Sequence, residues 1–135
     1  MSYHTRILEE AKNNTNFRTT LFTGELSQLV VMDIKPGEDI GAEVHAHVEQ
    51  TLFFLEGEGK AFVGGEEYTI GAGDVVVVTP GTKHNFLNTG STSLKVYTVY
   101  APPNHIDGRI HKTKAEAQAD LADEEFGEQT VMEKI

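Results

Sequence analysis

Between residues 17 and 101 the chain is a succession of short runs in which apolar side chains alternate with polar ones or follow one another directly. The runs cover 17–23, 25–34, 51–55, 60–63, 67–70, 75–79, 84–87 and 94–101. Between them lie Gly24, Lys35-Pro36-Gly37, Gly57-Glu58-Gly59, Gly64-Gly65, Gly71-Ala72-Gly73-Asp74, Pro80-Gly81 and Asn88-Thr89-Gly90. Glycine supplies the positive φ that such turns need, and proline presets the first corner. Short strands at this spacing predict an antiparallel sandwich or barrel. The run Val75-Val76-Val77-Val78 is apolar at every position and predicts a strand covered on both faces.

The flanks follow another period. A short helix is expected over 5–12, ending before the polar Asn13-Asn14-Thr15-Asn16. After Pro102-Pro103, Thr113 and Glu116 form a capping box, with Ala115, Ala119, Ala122 and Phe126 at helical spacing. That helix is expected to pack on the outside of the β domain or on a second subunit. The organisation read from these patterns is an arm with a helix over 1–16, a β domain over 17–101, and a connector, helix and acidic tail over 102–135.

Composition narrows the function classes. A length of 135 residues and 39% hydrophobic residues suit one domain with one core. A formal net charge of −10 argues against binding to nucleic acid or an anionic membrane, since both need a cationic footprint. Asp120, Asp123, Glu124, Glu125, Glu128 and Glu133 concentrate that charge near the C-terminus and read as a solvated face. No apolar run is long enough to span a bilayer, and residues 1–6 lack the apolar core of a signal peptide, so the expected location is cytoplasmic. With no cysteine, thiolate chemistry and disulfides are excluded.

The strongest chemical signal is His45-Ala46-His47. In an extended segment, residues i and i+2 face the same way, so two imidazoles converge on one point. Such a pair suits Zn, Mn, Fe, Co, Ni or Cu. Its surroundings add weight: Pro36-Gly37-Glu38-Asp39-Ile40-Gly41 precede it, and Gln50 to Gly59 follow it. Further on come Gly73-Asp74, the four valines, and Thr79-Pro80-Gly81-Thr82-Lys83-His84-Asn85-Phe86-Leu87-Asn88.

With these residues the chain resembles the cupin superfamily over roughly 28–100. The family's first motif is His-x-His, then an acidic or amide ligand, then glycine after six intervening residues. Gly57 falls on its end. The second motif runs from Gly-Asp to Gly-x-x-His with an Asn four residues on, matched by Gly73, Asp74, Gly81, His84 and Asn88. The resemblance implies an all-β, antiparallel jelly-roll barrel with short terminal helices. It also implies one divalent metal ion, held by His45, His47, Gln50 and His84.

Three departures bear on that ligand set. Thr79 stands where the family usually has proline, with the proline displaced to Pro80. Gln50 replaces the usual glutamate, leaving three imidazoles and a neutral amide without compensating charge. Only two residues separate His47 from Gln50, where three or four are usual. By alternation Glu49 then shares the face of His45 and His47, and Gln50 lies opposite unless a bulge intervenes. Gln50 is the preferred fourth ligand because it keeps the distance to Gly57. Glu49 is the alternative, and also the best placed general base.

Other positions are read more plainly. Asn88 is expected to bond strand-end backbone, and Phe53, Phe54, Phe62 and Phe86 to be core aromatics, one or two of them lining a pocket. His105, Asp107 and His111 read as an ordered connector, with a second metal site or a flap as the alternative. Arg18 is expected in a salt bridge, with an anionic substrate as the other use. The resemblance implies a dioxygenase, isomerase or lyase acting on a small oxygenated molecule, or else a non-catalytic module that binds a small ligand or a structural metal. A homodimer is expected on family grounds, with the strand over 25–34 pairing across a two-fold axis.

Overall fold

Turn residues cut the apolar runs where they should, and the strands follow. The computed structural model describes residues 1–129. The order is α1 (Ile7–Asn13), β1 (Arg18–Thr23), β2 (Gln28–Ile34), β3 (Glu49–Glu56), β4 (Glu58–Val63) and β5 (Glu66–Gly71). Then come β6 (Val75–Val78), β7 (His84–Asn88), β8 (Leu94–Ala101), β9 (Ile110–His111), α2 (Lys114–Ala119) and α3 (Leu121–Gln129). Glu133, part of the expected acidic tail, lies outside the described residues.

Two antiparallel sheets result, one in the order β6-β3-β8-β2-β1-β9 and one in the order β5-β4-β7. Strand alternation gives each an inward apolar row: Leu52 and Phe54 from β3, Leu94 and Val96 from β8, Phe86 from β7. These meet with Val30, Met32, Ile34 and Ala61 in a single buried cluster, so the sheets share one core. Gly57 sits at a tight crossing with φ of +97°, where a Cβ would lie 2.6 Å from the Ser93 carbonyl oxygen. Only glycine fits both demands.

At one end the inward rows turn polar. Gln50, Tyr100 and Gln28 stand in register across β3, β8 and β2, and all three are buried. This is the end that carries the candidate site.

Four expectations change. The valine run is not covered on both faces: β6 is a sheet edge, and Val75 and Val77 are 53% and 52% exposed. The strand expected to pair across a two-fold axis is interior, because β2 has β1 on one side and β8 on the other. The C-terminal helix is two helices. Thr113 caps α2 as expected, its side chain accepting from Glu116 N, but the chain breaks at Asp120. There the Asp120 carboxylate accepts from Asp123 N and from Arg109, which starts α3 afresh. Finally, Phe62 is exposed while Phe54 and Phe86 are core, and Phe53 stacks on Tyr97 at 4.8 Å between centroids.

Candidate metal centre

Residues 38–43 were not expected to pair, yet they run antiparallel to β7. Ile40 N donates to Phe86 O at 3.0 Å, and Asn85 fastens the strip by accepting from Gly41 N and donating to Asp39. Glu43 and His84 then exchange both main-chain hydrogen bonds, each of 2.9 Å. Directly opposed residues of this kind project their side chains to the same face. His45 follows two residues later, its carbonyl accepting from Gly81 N at 2.8 Å in the turn before β7. The outcome is a group of Glu43, His45 and His84 whose ligand atoms all lie within 4.8 Å of one another.

The alternation on which the His45–His47 pair was argued stops at a bend over residues 46–47. His45 is half-buried and faces Glu43, whereas His47 is exposed and lies outside the group, at the wall of the adjoining cavity. The bend also resets the parity of β3. Gln50 is inward, 3% exposed, and its amide donates to Thr98 Oγ1 at 3.2 Å. Glu49 is outward and exposed, opposite Ala101, so it does not share the face of His45. The residue that sequence reasoning missed is Glu43. Its signal was present as spacing: taking Glu43 and His45 as the pair leaves four residues before Gln50, within the usual range, and six more before Gly57.

Tautomers and charge follow from the partners. His84 Nδ1 lies 2.9 Å from Thr82 O, which fixes the proton there and leaves Nε2 with a free lone pair. Burial holds His84 below the usual imidazole range, opposed by that hydrogen bond. Burial pushes the Glu43 carboxyl up, but His45 and the charge of Arg18 outweigh it and leave Glu43 below its ordinary value. His45 Nε2 approaches Glu43 Oε2 to 2.9 Å, but out of line for a well-formed hydrogen bond, so the nitrogen is buried without a partner. A separation of about 3 Å is what two donor atoms adopt around one ion at bond lengths near 2.1 Å. Two imidazoles and a carboxylate on one face fit a divalent first-row metal.

A cavity of about 660 Å³ adjoins the group, lined by Glu43, His45 and His47 together with Arg18, His105 and Asp123. His105 and His111, on the connector, are both buried, and His105 lines the cavity. His111 Nε2 lies 2.9 Å from Asp120 Oδ2, and His105 Nδ1 lies 2.7 Å from Asp123 Oδ2. His111, Asp120 and Asp123 form a second cluster of metal-ligand type. Arg109 already neutralises Asp120 within it. Asn88, fully buried, donates to Ile34 O and Thr92 O and accepts from Gly90 N, fastening strand ends.

The comparisons with known proteins agree with this architecture. The Cupin domain family matches residues 30–100, and the chain belongs to that family. An uncharacterized Bacillus subtilis protein, YrkC, is 43% identical over 114 residues, covering 80% of this chain and 61% of its own length. The chain therefore spans less than two thirds of that relative. A protein of Acanthamoeba polyphaga mimivirus is 34% identical over 112 residues, 80% of this chain and 70% of that one. Among solved structures, one from Bacillus halodurans superposes with a TM-score of 0.87 at 38% identity, covering 88% of this chain and 95% of that one. One from Thermotoga maritima, described as a predicted oxalate decarboxylase, gives 0.59 at 27% identity, over 62% of this chain and 77% of that one.

The fold is mostly β, in antiparallel sheets like those of its double-stranded β-helix neighbours. Among the described residues no helix is long and apolar enough to cross a membrane.

Proposed function

We propose that the chain is a metal-dependent cupin enzyme acting on a small oxygenated molecule, with Glu43, His45 and His84 as ligands and Gln50 as the fourth donor. One observation carries this reading: the opposed pair Glu43 and His84, with His45 beside it, brings three ligand atoms within 4.8 Å. Gln50 joins them on spacing and on its inward position in β3. The Glu43 carboxylate supplies the negative charge that three imidazoles and an amide would lack. His47 serves the cavity wall in this scheme.

A bound divalent ion supplies polarisation of a ligand oxygen or activation of water or dioxygen. The protein's own part is positional. Thr82 O keeps the His84 proton on Nδ1, so Nε2 stays available. Phe17, Ile40 and Val48 line the cavity with apolar surface. The reaction class falls among dioxygenase, isomerase and lyase; the resemblance to a predicted oxalate decarboxylase favours small carboxylates as the first substrates to try.

The test is the metal content of the purified protein by mass spectrometry after repletion with Mn, Fe, Co, Ni, Cu and Zn in turn, repeated on His84→Ala. One equivalent in the wild type and none in the variant is expected. Wild-type protein that stays metal-free through the series would overturn the proposal. If metal is bound but no substrate is turned over, the remaining reading is a binding module with a structural ion. Light scattering on the same samples tests the expected homodimer, which on this fold would use the exposed edge of β6 in preference to the interior β2.

A further inference from the structure

The cavity holds two further polar groups that the proposed metal shell does not use. Arg18 is 6% exposed and its charge is permanent. Its Nη1 lies 3.4 Å from His111 Nδ1, and its guanidinium approaches the Tyr100 hydroxyl and sits over the Phe17 ring. Its Nε is buried with no partner, and none of the ion pairs among the described residues includes it. Glu43 and Asp123 feel its charge through space alone. A buried cation that no carboxylate contacts directly is costly, and an anion seated against it lowers that cost.

The second group is His105, also 6% exposed. Asp123 Oδ2 accepts its Nδ1 proton at 2.7 Å, while Asp123 Oδ1 accepts from Ile106 N. Gln28 grips the same segment from β2, accepting from His105 N and donating to His105 O at 2.7 Å. The ring is therefore fixed in position and tautomer, and its Nε2 lone pair is buried with no hydrogen-bond partner. A structural clamp needs Nδ1 and the backbone; it has no need of a vacant Nε2. Leaving such an acceptor unsatisfied is costly.

Both groups belong to one site. Tyr100 packs edge-on against His45, at 6.2 Å between centroids, and against His105, at 4.9 Å. Arg18, His105, Glu43 and His45 all line the same cavity. We propose that Arg18 and the Asp123–His105 pair form a subsite for a small hydroxycarboxylate, with its carboxylate on the Arg18 guanidinium and its hydroxyl donating to His105 Nε2. This deepens the preceding reading and rests on it for the location of the site. The charge inventory selects a carboxylate over a phosphate. A dianion would meet one cation against the carboxylates of Glu43 and Asp123, since Lys114, also at the cavity, is already paired with Asp39.

The test uses chelator-treated, metal-free protein, so that its result is independent of metal loading. Calorimetric titrations with glycolate, acetate, glycolamide and inorganic phosphate are compared. Glycolate should bind best, with acetate about tenfold weaker for want of the hydroxyl. Glycolamide, which lacks the charge, should show no saturable binding, and phosphate should bind more weakly than glycolate. In His105→Phe the preference for glycolate over acetate should vanish; in Arg18→Gln binding of both should be lost. Should either variant fail to fold, nitrogen-15 NMR of wild-type protein decides, since the His105 Nε2 resonance should move with glycolate and stay in place with acetate. Equal binding of glycolate and acetate by the wild type, tighter binding of phosphate, or glycolate binding that appears only after metal is added would each overturn the subsite. Glycolate bound by a protein that takes up no metal would sink the metal reading and leave this one standing.

Discussion

Glu43 and His84 lie 41 positions apart in the chain and face each other across an antiparallel bridge, each donating a 2.9 Å main-chain hydrogen bond to the other. The bridge explains why a carboxylate joins two imidazoles at this end of the fold, and it ranks the candidate ligands. Glu43→Ala should weaken metal binding by more than about a hundredfold, beyond what loss of a supporting neighbour costs. His47→Ala should retain binding, because His47 is exposed outside the group. Competition with a fluorescent chelator measures both. Equal losses in the two variants would return the ligand set to the three-histidine expectation.

Metal should also report on folding. An ion that binds only the native state raises its stability by mass action, by about 2.7 kcal/mol at a free concentration a hundred times Kd. Thermal unfolding of wild-type protein should therefore shift upward with metal, while Glu43→Ala should not respond.

Gly57→Ala tests the tight crossing before β4. The new Cβ would meet the Ser93 carbonyl oxygen at 2.6 Å while the backbone holds φ at +97°. Both penalties act together, so urea unfolding should show a loss of roughly 2–4 kcal/mol. Gly65→Ala, with a positive φ but open space around it, should lose less.

Removing an inward aromatic differs from removing an outward one. Phe86 is fully buried in the shared core, and Phe86→Ala should cost about 3–5 kcal/mol. Phe62→Ala, on the exposed face of the next strand, should cost well under half as much. A chemical denaturation series on both variants checks the ranking.

His105 gives the protein a defined acid sensitivity. Burial, reinforced by Arg18, pushes its imidazole down to about 4, while Asp123 and Glu43 oppose the shift. The unfolded chain then binds the proton more readily than the folded one between pH 6.5 and about 4. Stability present at neutral pH is thus lost as the pH falls through that window, by about 3 kcal/mol. Burial of His84 adds a loss in the same direction. In His105→Phe the fall between pH 7 and 4.5 should be shallower than in the wild type, and equal slopes would contradict the assignment.

The β domain was legible because its turns are chemical: glycine, proline and asparagine end each apolar run, and alternation then names the inward side chains. His84 was legible from the motif around it. Glu43 was not, since the strand-like alternation around His45 stops at a bend at 46–47 that no local residue announces. The pairing of residues 38–43 with β7 and the edge position of the valines depend on which strand lies next door, which is tertiary information. The break at Asp120 has the same origin: its carboxylate is held by Arg109 and His111 from the connector, and that contact overrides the helical period. Arg18 and His105 likewise acquire meaning only when β1 and α3 close around Tyr100.

Gln28 holds the connector from within β2, and that grip has an evolutionary corollary. The family match ends at residue 100, whereas Arg18, His105 and Asp123 lie outside it. The cavity thus has a floor set by the shared domain and a wall from flanking segments, held to β2 by Gln28 and to β1 by β9. Related chains could exchange that wall, and with it their choice of small molecule, without disturbing the floor. Divergence of specificity among such proteins would then be concentrated in their termini.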